Sequence, residues 1–387
     1  MSSDLLAYRD RFPILGETTY LVNHSLGAMP SAVDDRLQEY AETWRRRGVR
    51  AWAEGWWDLP LTVGDQVGRI VGAPRGTTVM HQNVSVAAGI VLSCFPFSGA
   101  RRRIVYVEGE FPSVRYLLQA QAERGAEVVV VENEEALLAA IDDRTLLVPV
   151  SHVLFRTGEL VDIGAVVARA RAAGAYVLLD AYQSAGIVPL DVTALGVDFA
   201  VGGSVKWLCG GPGAGWLYVR PELAAELRPT LLGWQAHARP FSFEPELQYA
   251  EGAARFLTGT PNVPALYAAT AGYDVVEEIG VERIRERSLA LTRRLISLAE
   301  AAGFTVASPR ADERRGGTVV VRTPADEAVH RELDSRSIIC DFRPGTGIRF
   351  GPHFFTSEEE VDFAAGQLAE IVQSGAYRRH EGAEAVF

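Results

Sequence analysis

Lys206 is the only lysine among the 38 basic Lys and Arg residues of this 387-residue chain. Arginine keeps its proton under ordinary conditions, whereas a lysine amine can lose it and act as a nucleophile or form an imine. Upstream, Asp180 closes the run YVLLD and opens DAYQSAG, while Ser204 and Lys206 follow the run DFAVGG. Ligands of open α/β sheets bind at the carboxyl ends of strands. An amine and a carboxylate delivered there together fit pyridoxal 5'-phosphate chemistry. The amine bonds the cofactor aldehyde, and the carboxylate keeps the pyridine nitrogen protonated so that the ring accepts electrons from a substrate carbanion. A phosphate cup is supplied by HQNVSVAAG at 81–89, where Asn83 or Ser85 caps a helix whose free N–H groups face an anion. Each feature alone has an ordinary reading: a turn cap, a chance survivor of Lys-to-Arg drift, one helix start among many. The combination favours the cofactor.

These residues need a scaffold, and the middle of the chain has the pattern of one. Short Val/Leu-rich runs at 103–108, 127–131, 145–150, 176–180 and 198–202 read as strands, separated by helical stretches at 113–124, 134–141 and 162–173. Such alternation predicts a mostly parallel sheet covered on both faces. Beyond Pro264 the pattern changes. A long amphipathic helix is expected over 275–302, then strands at 318–322 and 337–342 and a helix from Ser357 onward. The expected division is an N-terminal segment (1–30) packing on the small domain, a large cofactor-binding domain (31–275) and a small C-terminal α+β domain (276–387).

Composition narrows the function classes. The net charge of −11 opposes a nucleic-acid or anionic-membrane partner. Three scattered cysteines build neither a disulfide framework nor a zinc site, which suits a reducing, cytoplasmic setting, and no metal site is expected. The first residues show no signal-peptide pattern, and no apolar run is long enough to span a bilayer. The glycine-rich stretch 202–215 (GGSVKWLCGGPGAG) imitates nucleotide-binding loops. Trp207 stands where a P-loop requires Ser or Thr, and WLYV after the glycines reads as a strand where a dinucleotide fold requires a helix. The arginine runs at 45–47 and 101–103 read as solvated surface.

The order of phosphate loop, Asp180, Lys206 and C-terminal domain resembles the fold-type I pyridoxal phosphate enzymes of the class V aminotransferase superfamily, and within it the kynureninases. The segments that carry the resemblance include NHSLG, GVRAWAEGWW, EGEFPS, RTGELVD, DAYQSAG, KWLCGGPG, GWQAH, GTP and DFRPGTGIRFGP. It implies a large domain with a mostly parallel seven-stranded sheet plus a small α+β domain. It also implies roles. Lys206 is the imine-forming and proton-moving amine, and Asp180 is the partner of the ring nitrogen. Gln183 bonds the ring oxygen, Phe111 stacks on the ring, and Val84, Ser85, Ser151 and Ser204 lie on the cofactor. Trp234 and Thr260 reach the phosphate from the second subunit of a homodimer. Arg349 clamps the substrate α-carboxylate through its planar fork, with Ser25 and Trp52 on the substrate side.

Three positions depart from the kynureninase pattern. Val205 replaces a Tyr directly before the lysine, Val114 replaces an Asp, and Gln183 replaces a His. A phenolic general acid contributes ~10²–10⁴-fold where it acts. Sulfur transfer lacks its nucleophile, because FGPHFFTS after Arg349 has no Cys and Cys340 lies in an apolar run. The expected activity is kynureninase-like cleavage at the β-carbon of an amino acid. Transamination, β-elimination and epimerisation are alternatives that begin with the same α-proton removal, and a cofactor-binding sensor without catalysis is the non-enzymatic one.

Overall fold

The computed structural model describes residues 4–382; residues 1–3 and 383–387, the outer ends of the expected N-terminal segment and C-terminal domain, lie outside the described residues. The short strand β1 (Thr19–Tyr20) precedes β2 (Thr78–His81), β3 (Arg103–Val107), β4 (Glu127–Val131), β5 (Thr145–Ser151), β6 (Tyr176–Asp180), β7 (Phe199–Gly203) and β8 (Gly215–Val219). Strands β2 to β8 form one seven-stranded sheet in the order β2-β8-β7-β6-β5-β3-β4. From β7 outward to β4 every pair is parallel, and β8 alone runs antiparallel to its neighbours β7 and β2. This is the mostly parallel sheet expected from the alternating runs, with the seven strands that the family resemblance implies.

Both faces of the sheet are covered, which explains why its strands are apolar without alternation. Side chains of successive strand residues point to opposite faces. Val105, Val148, Val177, Leu179 and Ala200 join one core, together with the helices Leu59–Ile70, Ile163–Ala173 and Val263–Ile279. Ile104, Leu147, Leu178, Phe199 and Val201 join the other, against the helices Val84–Ser93 and Pro112–Ala120. Arg103 is no surface residue: its guanidinium is buried between Glu127 and Asp142, at 2.7 and 2.6 Å. Two carboxylates on a neighbouring strand and loop satisfy it, a pairing that a three-arginine run does not reveal.

The C-terminal part carries β9 (Thr305–Val306), β10 (Val319–Arg322), β11 (Ile338–Ile339), β12 (Asp341–Arg343) and β13 (Gly347–Phe350). An antiparallel sheet runs β12-β13-β10-β9, with its own core of Leu291, Leu295, Val319, Val321, Ile348 and Leu368. Two expectations fail here. The strand expected over 337–342 is two strands on two sheets, since β11 pairs in parallel with β1 and the chain leaves that ladder at Cys340 to pair β12 with β13. The helix expected over 275–302 is two helices, Val263–Ile279 and Val281–Ala301, separated by Gly280 at φ +85°. A left-handed glycine ends a helix, yet the apolar repeat continues through it because both helices pack on cores. Residue 275 therefore falls inside a helix. The N-terminal segment lies against the C-terminal part through β1, a bridge from Val22 to Gly351, the tilted contact of Phe12 with Phe355, and the Arg9–Glu360 ion pair.

Close backbone contacts hold the turn that follows β7. A Cβ at Gly27 would lie 2.1 Å from the Lys206 carbonyl oxygen, and one at Gly272, within the helix Val263–Ile279, would lie 2.2 Å from the Leu208 carbonyl oxygen. The Gly27 N–H also donates to the Val205 carbonyl at 2.7 Å. The lysine loop is thus pinned from two sides by backbone that tolerates no side chain. Gly272→Ala is expected to destabilise the protein by ~1–3 kcal/mol through overpacking, read as a lower urea midpoint at unchanged slope.

Candidate active site

The carboxyl ends of the parallel strands bring the chemical groups together. Ser151 pairs in register with Asp180, Asp180 pairs with Val201, and two and three residues beyond β7 the chain delivers Val205 and Lys206. The opposite wall is the start of the helix Val84–Ser93, where Asn83 accepts a hydrogen bond from the Val86 N–H at 3.0 Å. Together these segments enclose a cavity of about 400 Å³, lined by Asn83, Val84, Ser85, Phe111, Ser113, Ser151, Val153, Phe155, Asp180, Tyr182, Gln183, Val205 and Lys206.

Lys206 lies between two aromatic rings, its Nζ 4.5 Å from the centre of Tyr182 and 5.4 Å from that of Phe111. Burial drives the pKa of its amine well below the lysine range, against the Asp180 charge that favours the ammonium form. Burial likewise raises the Asp180 carboxyl, opposed by the Tyr182 N–H, which donates to Oδ1 at 2.8 Å, and by Lys206. Gln183 donates through Nε2 to the His24 carbonyl and accepts at Oε1 from Trp207 Nε1. Phe111 packs edge-on to Phe155 with centroids 5.1 Å apart.

The cavity fits pyridoxal phosphate on its own donor set. The first turn of a helix leaves N–H groups without intrahelical acceptors, here those of Val84 and Ser85 facing the cavity. An amine that sheds its proton readily, a buried carboxylate and an exposed aromatic face complete the requirements of the ring and aldehyde.

Several expected residues sit elsewhere or are otherwise engaged. Ser204 is buried off the cavity wall, its hydroxyl donating to the Ala214 carbonyl at 2.6 Å and bonded to Tyr273. Ser151 lines the cavity, but its N–H and hydroxyl both bond the Glu110 carboxyl, at 2.8 and 2.5 Å. Trp52 packs edge-on to Trp56, away from the lining. Trp234 is exposed beside Trp57, Phe241 and Phe243, and Thr260 is exposed; neither meets the cavity of its own chain. Arg349 is buried, and its fork already holds a carboxylate: Nε and Nη2 donate to Asp341 at 2.7 and 2.5 Å, while Nη1 donates to the Phe155 carbonyl at 2.6 Å. Ser25 joins this cluster by donating to Asp341. The antiparallel register of β12 and β13 sets Asp341 directly opposite Arg349, a pairing the sequence separation conceals.

The residues of the site that escaped the sequence reading include three ionisable ones. Tyr182 and Asp341 are two. The third is Glu110, 2% exposed and raised to about 8, chiefly by burial and further by the Asp180 charge, against the Ser151 hydrogen bonds. Nothing in the sequence separates it from the exposed Glu108 two residues earlier. Asp341 did carry a signal: an acid and an arginine flank the tight PGTG turn of a hairpin.

The single lysine makes the first prediction sharp, because Lys206 and the N-terminus are the chain's only primary amines. In the cofactor-free protein, reductive methylation with labelled formaldehyde should report a Lys206 half-point near neutrality, and Asp180→Asn should move it lower still. The second concerns Glu110. A carboxyl whose pKa is raised in the folded state adds stability at low pH that is lost as pH rises from its unfolded value of 4.5 to about 8. Urea unfolding of Glu110→Gln at pH 5 and pH 8 should show a smaller loss between the two than the natural protein does.

Comparison with known proteins agrees with this arrangement. A family model described as aminotransferase class V matches residues 19–350. The kynureninase of Pseudomonas fluorescens is 34% identical over 384 residues, covering 95% of this chain and 92% of that protein. Among solved structures, a cysteine desulfurase from Thermococcus onnurineus superposes with a TM-score of 0.83 at 23% identity, over 95% of this chain and 98% of that one. A variant of C-DES with glycine covalently linked to its PLP cofactor superposes with a TM-score of 0.85 at 22% identity, over 94% of this chain and 99% of that one. With its sheet, its cavity and its lysine in this arrangement, the chain belongs to the class V aminotransferase family of pyridoxal phosphate-dependent enzymes, alongside kynureninase.

Proposed function

We propose that the protein cleaves an aromatic or β-carbonyl amino acid at its β-carbon, in the manner of its kynureninase relatives. The observation that carries this reading is the buried Lys206 amine facing Asp180 inside an aromatic-walled cavity, in a chain 34% identical to a kynureninase. When bound, pyridoxal phosphate supplies a sink for the electrons released at the substrate α-carbon. The chain's residues do the rest. Lys206 Nζ takes up and returns the proton at the α-carbon, a task suited to an amine whose pKa lies near working pH. Asp180 keeps a proton on the ring nitrogen. Val84 and Ser85 bind the phosphate through their N–H groups, Phe111 stacks on the ring, and Gln183 bonds the ring oxygen.

Arg349 binds the substrate carboxylate. Its Nε–Nη2 edge is held by Asp341, so the Nη1 side, which meets the Phe155 carbonyl on the cavity wall, is the edge left for a ligand. Asp341 is itself kept ionised: burial pushes its pKa up, but His24 and Arg349 hold it far below the carboxylate range. Phe111, Phe155 and Tyr182 give the cavity walls that favour a planar side chain.

The functional unit in this reading is a homodimer in the cytoplasm. Trp234, Phe241 and Phe243 expose an aromatic cluster of the kind that seeks a partner surface, and with Thr260 they would face the phosphate of a second copy. All three cysteines are free. Transamination is the second reading, favoured by Val205, which leaves the chain position directly before the lysine without the phenol of the kynureninase pattern. Incubation of the holoenzyme with kynurenine and with 3-hydroxykynurenine is expected to release an anthranilate-type product and alanine, and Lys206→Ala to abolish both. Silence with both substrates, together with keto-acid-dependent amino transfer, would replace the hydrolase with an aminotransferase.

A further inference from the structure

Tyr182 lines the cavity, and its phenol has no task in the reading above. It lies two residues beyond the ring-nitrogen carboxylate, its N–H donates to Asp180, and its ring forms the near wall against Lys206. Among the described residues its hydroxyl has no hydrogen-bond partner, whereas the neighbouring hydroxyls of Ser204 and Tyr273 bond each other. Val205, beside the lysine on the same wall, has no polar group at all.

The seat of the ring is specific. A Cβ at Gly203 would lie 2.4 to 2.6 Å from Tyr182 Cε2, Cζ and the hydroxyl oxygen, so the phenol lies flat against a strand end that only glycine permits. Gly203 pairs directly with Gly215, and a Cβ at Gly215 would lie 2.7 Å from the backbone of Asn83, the cap of the helix Val84–Ser93. Directly paired residues of an antiparallel ladder point to the same face, with Cβ positions ~5 Å apart. The Tyr182 hydroxyl and the first residues of the phosphate-binding helix are therefore neighbours on one face, separated by about one strand spacing.

We propose that the Tyr182 hydroxyl is a ligand of the cofactor phosphate, donating to it from across Gly203 while the N–H groups of Val84 and Ser85 donate from the helix. Burial, reinforced by Asp180, raises the phenol to about 12, so it remains an O–H donor at any pH where the enzyme works. The phosphate cup is thereby completed by a side chain that begins at the ring-nitrogen end of the cofactor. One residue segment, Asp180 to Tyr182, then grips both ends.

The inference rests on cofactor binding and is independent of which substrate bond is cleaved. The test measures dissociation constants of pyridoxal 5'-phosphate and of unphosphorylated pyridoxal for the cofactor-free protein, before and after Tyr182→Phe. A hydrogen bond to a charged group predicts a loss of roughly tenfold or more for the phosphorylated form, with pyridoxal unchanged within about twofold. Gly203→Ala, which drives the ring from its seat, should give the same selective loss, and serves if the first variant does not fold. Equal phosphate-form affinity in folded Tyr182→Phe would overturn the assignment. So would an equal loss for pyridoxal, which would place the hydroxyl on the ring or on Lys206. Failure of the natural protein to bind pyridoxal phosphate would instead overturn the function itself.

Discussion

The structure turns on one unfavourable act, the removal of an amine and a carboxylate from water. Lys206 and Asp180 are buried at the edge of a sheet whose two faces are already dry. Burial disfavours both charged forms; their mutual attraction, the Asp341 charge at the amine and the Tyr182 N–H at the carboxylate oppose it. The consequence for chemistry is direct: an amine that holds its proton weakly can serve as nucleophile and base near neutral pH. Keeping the pair there requires a rigid seat. The glycines at 27 and 272 supply it by letting backbone meet backbone around the lysine turn, where a single added carbon would overlap a carbonyl oxygen.

A second charge problem surrounds the first. The chain carries a net charge of −11 yet has to hold an anionic cofactor and an anionic amino-acid carboxylate. Its overall field opposes both, so binding depends on local donors. Helix N–H groups need no countercharge, and Arg349 is placed deep in the protein where its attraction is little screened. A buried guanidinium requires a partner of its own, and Asp341 supplies it, steadied by His24 and Ser25. The cost of this arrangement is that half the fork is occupied before any substrate arrives. In the proposed function the substrate carboxylate meets the remaining edge.

Much of this was legible in the chain. The large sheet, six of its seven strands and the Asp180–Lys206 pair were readable, because an uninterrupted Val/Leu run with buried faces on both sides leaves a plain pattern and because a lone lysine is conspicuous; the strand Thr78–His81 was not. The failures are equally specific. Gly280 divides a helix whose apolar repeat runs on undisturbed, and 337–342 divides at Cys340 although all of it is strand-like. In both cases the composition suits either outcome, and the choice belongs to which core or which strand edge lies nearby. Glu110 was passed over and Arg103 misjudged for the same reason. A charged residue carries no mark of burial until its partners, Ser151 for one and Glu127 with Asp142 for the other, are brought alongside.

The sequence by itself determined the family, the large sheet and the one lysine able to serve as the proposed imine-forming amine, since these depend on motif order, on local periodicity and on a residue type that nothing else in the chain can replace. Tertiary structure alone decided which polar groups remain free to meet a ligand. Ser204, Ser151 and the side edge of Arg349 look available in sequence and are engaged within the chain. Tyr182 looks like a turn residue, yet it lines the cavity with a hydroxyl that has no partner among the described residues. The reason is physical: hydrogen-bonding capacity is finite, and its allocation depends on strand register and on close packing against glycine, which link residues far apart in the chain.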